Sequence, residues 1–233
     1  MLTSLPKQRK RANLRRSELV GDIMTAPVKP EDVRKATCDA MQRIYLVIVG
    51  FSITQALLGA LTSSPGEFLG VEIFKEGNRV QVLLLLAFLF TIIRFAHGSI
   101  LHLSALTGRN KWQWDMMALM TQAMLFFVVA LSVKRTDQFI ICFCIVIAWD
   151  TFWLVVFLVK RIHTKMETQW VISNGVFLAV LALIEAARYR YQIPDAVTAY
   201  IAAVLSITLA LWDYLYNASY YFPSESTAQE ARA

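Results

Sequence analysis

Apolar positions gather into six runs, at about 42–62, 80–104, 114–133, 138–159, 169–187 and 196–217, each near the roughly 20 residues that carry an α-helix across 30 Å of hydrocarbon. The pattern predicts an all-α polytopic membrane protein, a bundle of six transmembrane helices. Around it the chain divides into a basic tail and lead-in helix at 1–40, the transmembrane domain at 41–218 and a short tail at 219–233. Pro30, followed by Glu31 and Asp32, predicts a helix start that runs into the first span, because proline lacks only an N–H that is unpaired there anyway and acids suit the positive helix end. Lys134–Asp137 leaves so short a link that spans three and four are antiparallel neighbours. The longest connection, 63–78, carries a Pro65-Gly66 turn signal and three glutamates.

Composition agrees with the pattern: 57% hydrophobic and 17% charged residues and a mean hydropathy of +0.49 lie on the membrane side of ordinary usage. The net charge of +6 would suit nucleic acid, but Lys7, Arg9, Lys10, Arg11, Arg15 and Arg16 carry it alone. A basic cluster beside a membrane points to anionic lipid headgroups rather than nucleic acid. No apolar run follows the basic residues closely enough for a signal peptide. Six crossings put both termini on one side, which then holds sixteen Lys and Arg against six, Arg94 excluded. The positive-inside rule makes that side cytoplasmic, places 63–78 outside, and points to a plasma (inner) membrane. Trp112, Trp114, Trp170, Tyr220 and Tyr221 fall near the predicted cytoplasmic boundaries, where amphipathic rings favour the headgroup layer.

The second run is the one that needs explaining, because it buries Arg94, His97 and His102. A charge at mid-bilayer must find a partner or water. On a helix Thr91, Arg94, His97, Gly98 and Leu101 share one face, while Ile93 and Ile100 point elsewhere. Spans two and four run the same way, so Arg94 and Asp150 sit at similar depth and form the preferred buried pair, with His97–Asp213 as a second contact. Asp150 and Asp213 each follow a tryptophan, Trp149 and Trp212. With His102, Asp115, Ser173 and Asn174 in the same half, these groups predict a hydrated cavity open to the cytoplasm. Glu185 and Arg188 read as an exposed helical pair.

Other chemistry fails on spacing. His97 and His102 are five apart and do not face one ligand as a helical zinc pair does, and one haem takes its two ligands from facing elements. His97 and Ser99 point apart, which disfavours a local nucleophile and base. The aspartates lack the glycine-rich setting of intramembrane aspartyl proteases, and one arginine is no voltage sensor. Cys38, Cys142 and Cys144 imply neither a disulfide framework nor a metal site. No catalytic set, metal site or cofactor motif is readable. The expected function is a small channel or transporter for protons or inorganic ions, with Arg94, His97, Asp150, Asp213, His102 and Asn174 along a buried polar pathway. The opposing expectations are a non-catalytic membrane anchor or interaction subunit of a larger complex, acting with a membrane partner or as a homo-oligomer, and thirdly a membrane-embedded enzyme acting on lipid.

Overall fold

In the computed structural model, residues 29–64, 67–68, 75, 78–105, 112–159 and 165–222 are described. The basic cluster, the Pro65-Gly66 turn, Arg109, Lys111, Lys160, Arg161 and the tail beyond 222 lie outside the described residues. By its contacts the chain forms two units, Met1–Thr37 and Cys38–Ala233. Of the first, residues 29–37 are described, and from Pro30 they are the opening turns of helix α1.

The helices are α1 (Pro30–Leu61), α2 (Arg79–Ala105), α3 (Trp112–Leu131), α4 (Thr136–Val159), α5 (Lys165–Tyr191), α6 (Asp195–Tyr216) and the single turn α7 (Ala218–Tyr221). The first six are long and apolar enough to cross a membrane. The protein is an all-α polytopic membrane protein, and each expected run is a helix. Pro30 opens α1 with Glu31 and Asp32 in its first turn, as its chemistry requires. Between α1 and α2 two short strands, β1 (Thr62–Ser64) and β2 (Glu67–Phe68), pair antiparallel, a feature hydropathy alone does not show. Lys134, in the link between α3 and α4, donates its ammonium to the Thr62 carbonyl at 3.1 Å and so ties that link to β1.

Helices in lipid gain nothing from burying apolar surface against one another, so close packing and polar contacts decide which of them meet. Helix α6 buries Thr198, Ala199, Ala202, Ala203, Ser206, Ala210 and Asp213 along one stripe. Small side chains at this spacing let a backbone approach closely, and α6 makes its main contact with α2. The stripe ends in an aspartate, which places a carboxylate against α2. Helix α4 packs on α5 and on α3. Gly59 of α1 is equally constrained, since a Cβ there would stand 2.6 Å from Cγ1 of Val133.

The half of the bundle where α2, α4 and α6 begin is apolar. Phe88 meets Phe126 edge-on at 6.2 Å, and Phe143 meets Phe139 at 5.1 Å and Phe177 at 5.5 Å. These geometries suit the ring quadrupole. Ile93, Phe152 and Leu183 are exposed on the outer surface, where lipid takes the place of protein contacts. Near that end Arg188 pairs with Glu185 at 3.0 Å and with Asp195 at 2.9 Å. The expected local pair is therefore a clip from α5 to the start of α6, spanning a link in which Gln192 takes a φ of 52°.

Candidate functional site

The other half of the bundle is polar, and its groups come from every helix from α2 to α6. Asp213 is its anchor. Its Oδ2 accepts from Nε of Arg94 at 3.0 Å and from the Tyr221 hydroxyl at 2.8 Å. Its Oδ1 accepts from Nε1 of Trp170 at 2.8 Å and from Nδ2 of Asn217 at 2.6 Å. An ionised carboxylate has about four lone-pair positions. All four donors here are supplied by α2, α5 and the C-terminal end of the chain, so the carboxylate is saturated. Arg94 also donates from Nη2 to Oγ of Ser173 at 3.1 Å.

The C-terminal part of that arrangement follows from local structure. The Asn217 N–H caps α6 by donating to the Asp213 carbonyl, and the following turn, α7, brings Tyr221 back over the carboxylate. Burial and the negative charge of Asp213 push the Tyr221 hydroxyl well above its ordinary range, so it stays a donor. Burial and Glu167 push Tyr220 in the same direction. Gly98 leaves room for the Trp170 ring, for a Cβ there would lie 3.0 Å from Cη2 of that indole.

Asp150, on α4, is held differently. Its Oδ1 accepts from Nε2 of Gln122 on α3 at 2.9 Å, and its Oδ2 accepts from Nδ2 of Asn174 on α5 at 2.7 Å. Gln122 is oriented by Ser99, whose hydroxyl donates to Oε1 at 3.4 Å. Trp149, one residue earlier, donates to the Ala118 carbonyl at 3.0 Å. Among the described residues no cation is in ion-pair contact with Asp150.

Between the two aspartates lies a cavity of about 70 Å³, lined by Arg94, His102, Asp150, Asn174 and Asp213 together with Trp149, Trp153, Trp170, Gln122 and Tyr221. A water's share of liquid is about 30 Å³, so the space holds a few atoms. It is acidic: Asp115, Asp150, Glu167 and Asp213 line it against Arg94 and His102. Of its lining side chains, Arg94 and Asn174 each bury a polar atom, Nη1 and Oδ1, that has no hydrogen-bond partner.

Five of the six expected residues thus meet at one cavity, and two expected pairings are corrected. Arg94 pairs with Asp213 and not Asp150, because α2 packs on the small-residue stripe of α6 while Asp150 is taken up by amides from α3 and α5. His97 does not reach Asp213. Its Nδ1 is 3.2 Å from the Tyr214 hydroxyl, and its ring packs on Tyr221 at 4.7 Å and Phe222 at 6.1 Å, off the cavity wall. Trp170 and Tyr221, expected at the headgroup layer, turn inward as donors to Asp213. Gln122 and Ser99 are site residues that the reading of spans passed over. Among the described residues no group of three His, Cys, Asp or Glu side chains is placed to hold a metal ion. No protein family, curated protein or solved structure matches this chain.

Proposed function

We propose that this membrane protein is a small transporter that carries protons through the cavity, with Asp150 as the carrier carboxylate. The observation that supports this most is the contrast in charge compensation: a carboxylate on a cavity wall holds two neutral amides and no cation, although a guanidinium stands on the same wall. A carboxylate so placed can balance its charge by taking up a proton or a mobile cation. The lining side chains come from the polar half of the bundle, and phenylalanines pack against one another in the other half. That asymmetry suits a carrier better than an open pore.

Inorganic cations fit less well. A metal ion of the calcium or magnesium kind wants about six oxygen ligands. Around Asp150 the two nearest side chains present N–H groups rather than oxygens.

The test is proton uptake by the purified protein in proteoliposomes under an imposed pH gradient and potential, beside empty vesicles. Wild type should carry flux above the empty control, and Asp150→Asn should lose most of it while remaining folded. Wild-type flux no greater than that of empty vesicles would return the protein to the anchor reading, in which the polar groups only hold helices together.

A further inference from the structure

We infer that the same cavity binds a small primary ammonium compound carrying a nearby oxygen, an amino alcohol in its simplest form, and that this ligand competes with the proton for Asp150. The inference rests on the proton-carrier reading and names the second species in the exchange.

Three features of the wall carry it. First, among the described residues Asp150 has two amide donors and no cation in ion-pair contact, and Arg94, whose charge reaches it across the cavity, is already paired with Asp213. Second, Oδ1 of Asn174 is buried without a partner, in a residue only 1% exposed. Its amide nitrogen is already spent on Asp150, so the free oxygen adjoins the carboxylate and both accept N–H. An ammonium with several N–H groups satisfies the two together. A quaternary ammonium does not, and neither does a metal ion that demands a full oxygen shell. Third, Nη1 of Arg94 is buried without a partner, in a residue 5% exposed. Arg94 has its charge balanced by Asp213, so what Nη1 lacks is a neutral acceptor, a hydroxyl or carbonyl oxygen, rather than an anion.

The size and walls agree with this ligand. A volume of about 70 Å³ admits a head of a few heavy atoms. Trp149, Trp153 and Trp170 line the space, and indole is the best aromatic neighbour for an ammonium. The charged and titratable groups facing Asp150 across the cavity are Arg94 and His102 of α2, Asp115 of α3, Glu167 of α5, Asp213 of α6 and Tyr221 of α7, and Tyr45 of α1 lies near enough to feel its charge.

Competition follows from occupancy. An ionised Asp150 pairs with the ammonium, and a protonated Asp150 does not. A ligand arriving at the protonated form releases one proton to solvent, and a proton arriving at the occupied form releases the ligand.

The experiment is isothermal titration of ethanolamine into the full chain in phosphatidylcholine nanodiscs, with ethylammonium, tetramethylammonium, sodium and 1-propanol as comparators. The expected result is saturable ethanolamine binding, weaker for ethylammonium and absent for the other three. Affinity should fall as pH is lowered from about 8 to 5.5, and the protons released per ligand bound, as read from buffers of different ionisation enthalpy, should rise toward one over the same range. Asp150→Asn should weaken binding by at least about tenfold. The wild-type pH series decides the matter even if that variant does not fold. Nanodiscs containing ethanolamine phospholipid separate two sources of the same headgroup: a lipid occupant lowers the apparent affinity for free ethanolamine there, and a soluble ligand leaves it unchanged. No saturable binding alongside Asp150-dependent proton flux means that water alone serves the orphan atoms, and it overturns this inference while sparing the carrier. Equal binding of 1-propanol overturns it as well. Absence of both binding and flux removes both readings.

Discussion

Asp150 and Asp213 both follow a tryptophan, both lie in the same half of the bundle, and both border one cavity, yet they are built for opposite ends. Asp213 receives four donors, one of them a guanidinium, and is 2% exposed. Asp150 receives two side-chain amides. Their tryptophans diverge as well: Trp149 is bonded to the Ala118 carbonyl, whereas Trp212 is exposed and stacks on Tyr216 at 5.8 Å. A buried carboxylate with every lone pair taken is a fixed part of the packing. One with neutral partners and an adjoining cavity can still change its charge. The proposed carrier role therefore falls to the less satisfied aspartate.

The largest effect should come from breaking the satisfied one. Removing one member of a buried ion pair costs about 3–5 kcal/mol, because the other charge is left uncompensated. Arg94→Leu and Asp213→Leu should each lower thermal stability in nanodiscs on that scale. The double variant should recover only part of the loss, since Trp170, Asn217 and Tyr221 keep donors with no acceptor. In double-mutant cycles Arg94 should couple to Asp213 by more than about 1 kcal/mol and to Asp150 by less. The reverse ranking would mean that Arg94 serves Asp150 and that the contrast is misdrawn.

That ranking also marks where sequence reading succeeded and stopped. The spans were legible because about 20 apolar residues in a row have few other uses, and α2 extends only one residue beyond each end of the run that predicts it. Arg94 was legible as a group in need of a partner. Its partner was not, since matching depth along two helices says nothing of which helices touch or how they are rotated. A signal for that was present in α6, where Ala199, Ala202, Ser206 and Ala210 form a small-residue stripe that leads to Asp213. Gln122 also carried one, as a lone amide deep in an apolar run must find a partner. For Trp170 and Tyr221 there was none, because an aromatic near a span end looks the same whether it faces headgroups or turns inward.

Next in size is Tyr221→Phe, which deletes one donor from the saturated carboxylate. Hydrogen bonds to charged groups are worth about 1.5–3 kcal/mol, and the loss should fall within that range. The substitution also gives a pH signature. The Tyr221 hydroxyl is held above its ordinary value by burial and by Asp213, so its contribution to stability is complete below the unfolded tyrosine value near 10 and is lost as pH rises through the higher folded value. Denaturation midpoints between about pH 9 and 11.5 should therefore fall more steeply in wild type than in Tyr221→Phe. Parallel curves would show that the hydroxyl is not bound to the carboxylate as described.

Asp150→Asn should do little to stability, within about 1 kcal/mol of wild type, because it removes a buried charge that has no ion-pair contact among the described residues and keeps the side chain's shape. The same change at Asp213 strands a guanidinium and should cost several times as much. Measured together, the two variants give the contrast in one number. If Asp150→Asn is as damaging as Asp213→Asn, then Asp150 is a second structural anchor, and the carrier proposal loses its carboxylate.

His97 should give the smallest effect. Histidine is the side chain whose charge can change near neutral pH, which makes it the obvious sensor for a proton-linked protein. The packing argues against that role here. Its ring is enclosed by Tyr214, Tyr221 and Phe222, with Nδ1 on the Tyr214 hydroxyl, and it borders the back of the Asp213 anchor rather than the cavity where Asp150 lies. His97→Gln keeps a group able to bond that hydroxyl, so stability should change by less than about 1 kcal/mol. The pH profile of proton flux in proteoliposomes should coincide with that of wild type. Asp150→Glu, which keeps a titratable group on the wall but lengthens it, should move the same profile. If His97→Gln moves it instead and Asp150→Glu does not, protons are exchanged through the aromatic cluster, and the saturated aspartate, not the open one, lies on the path.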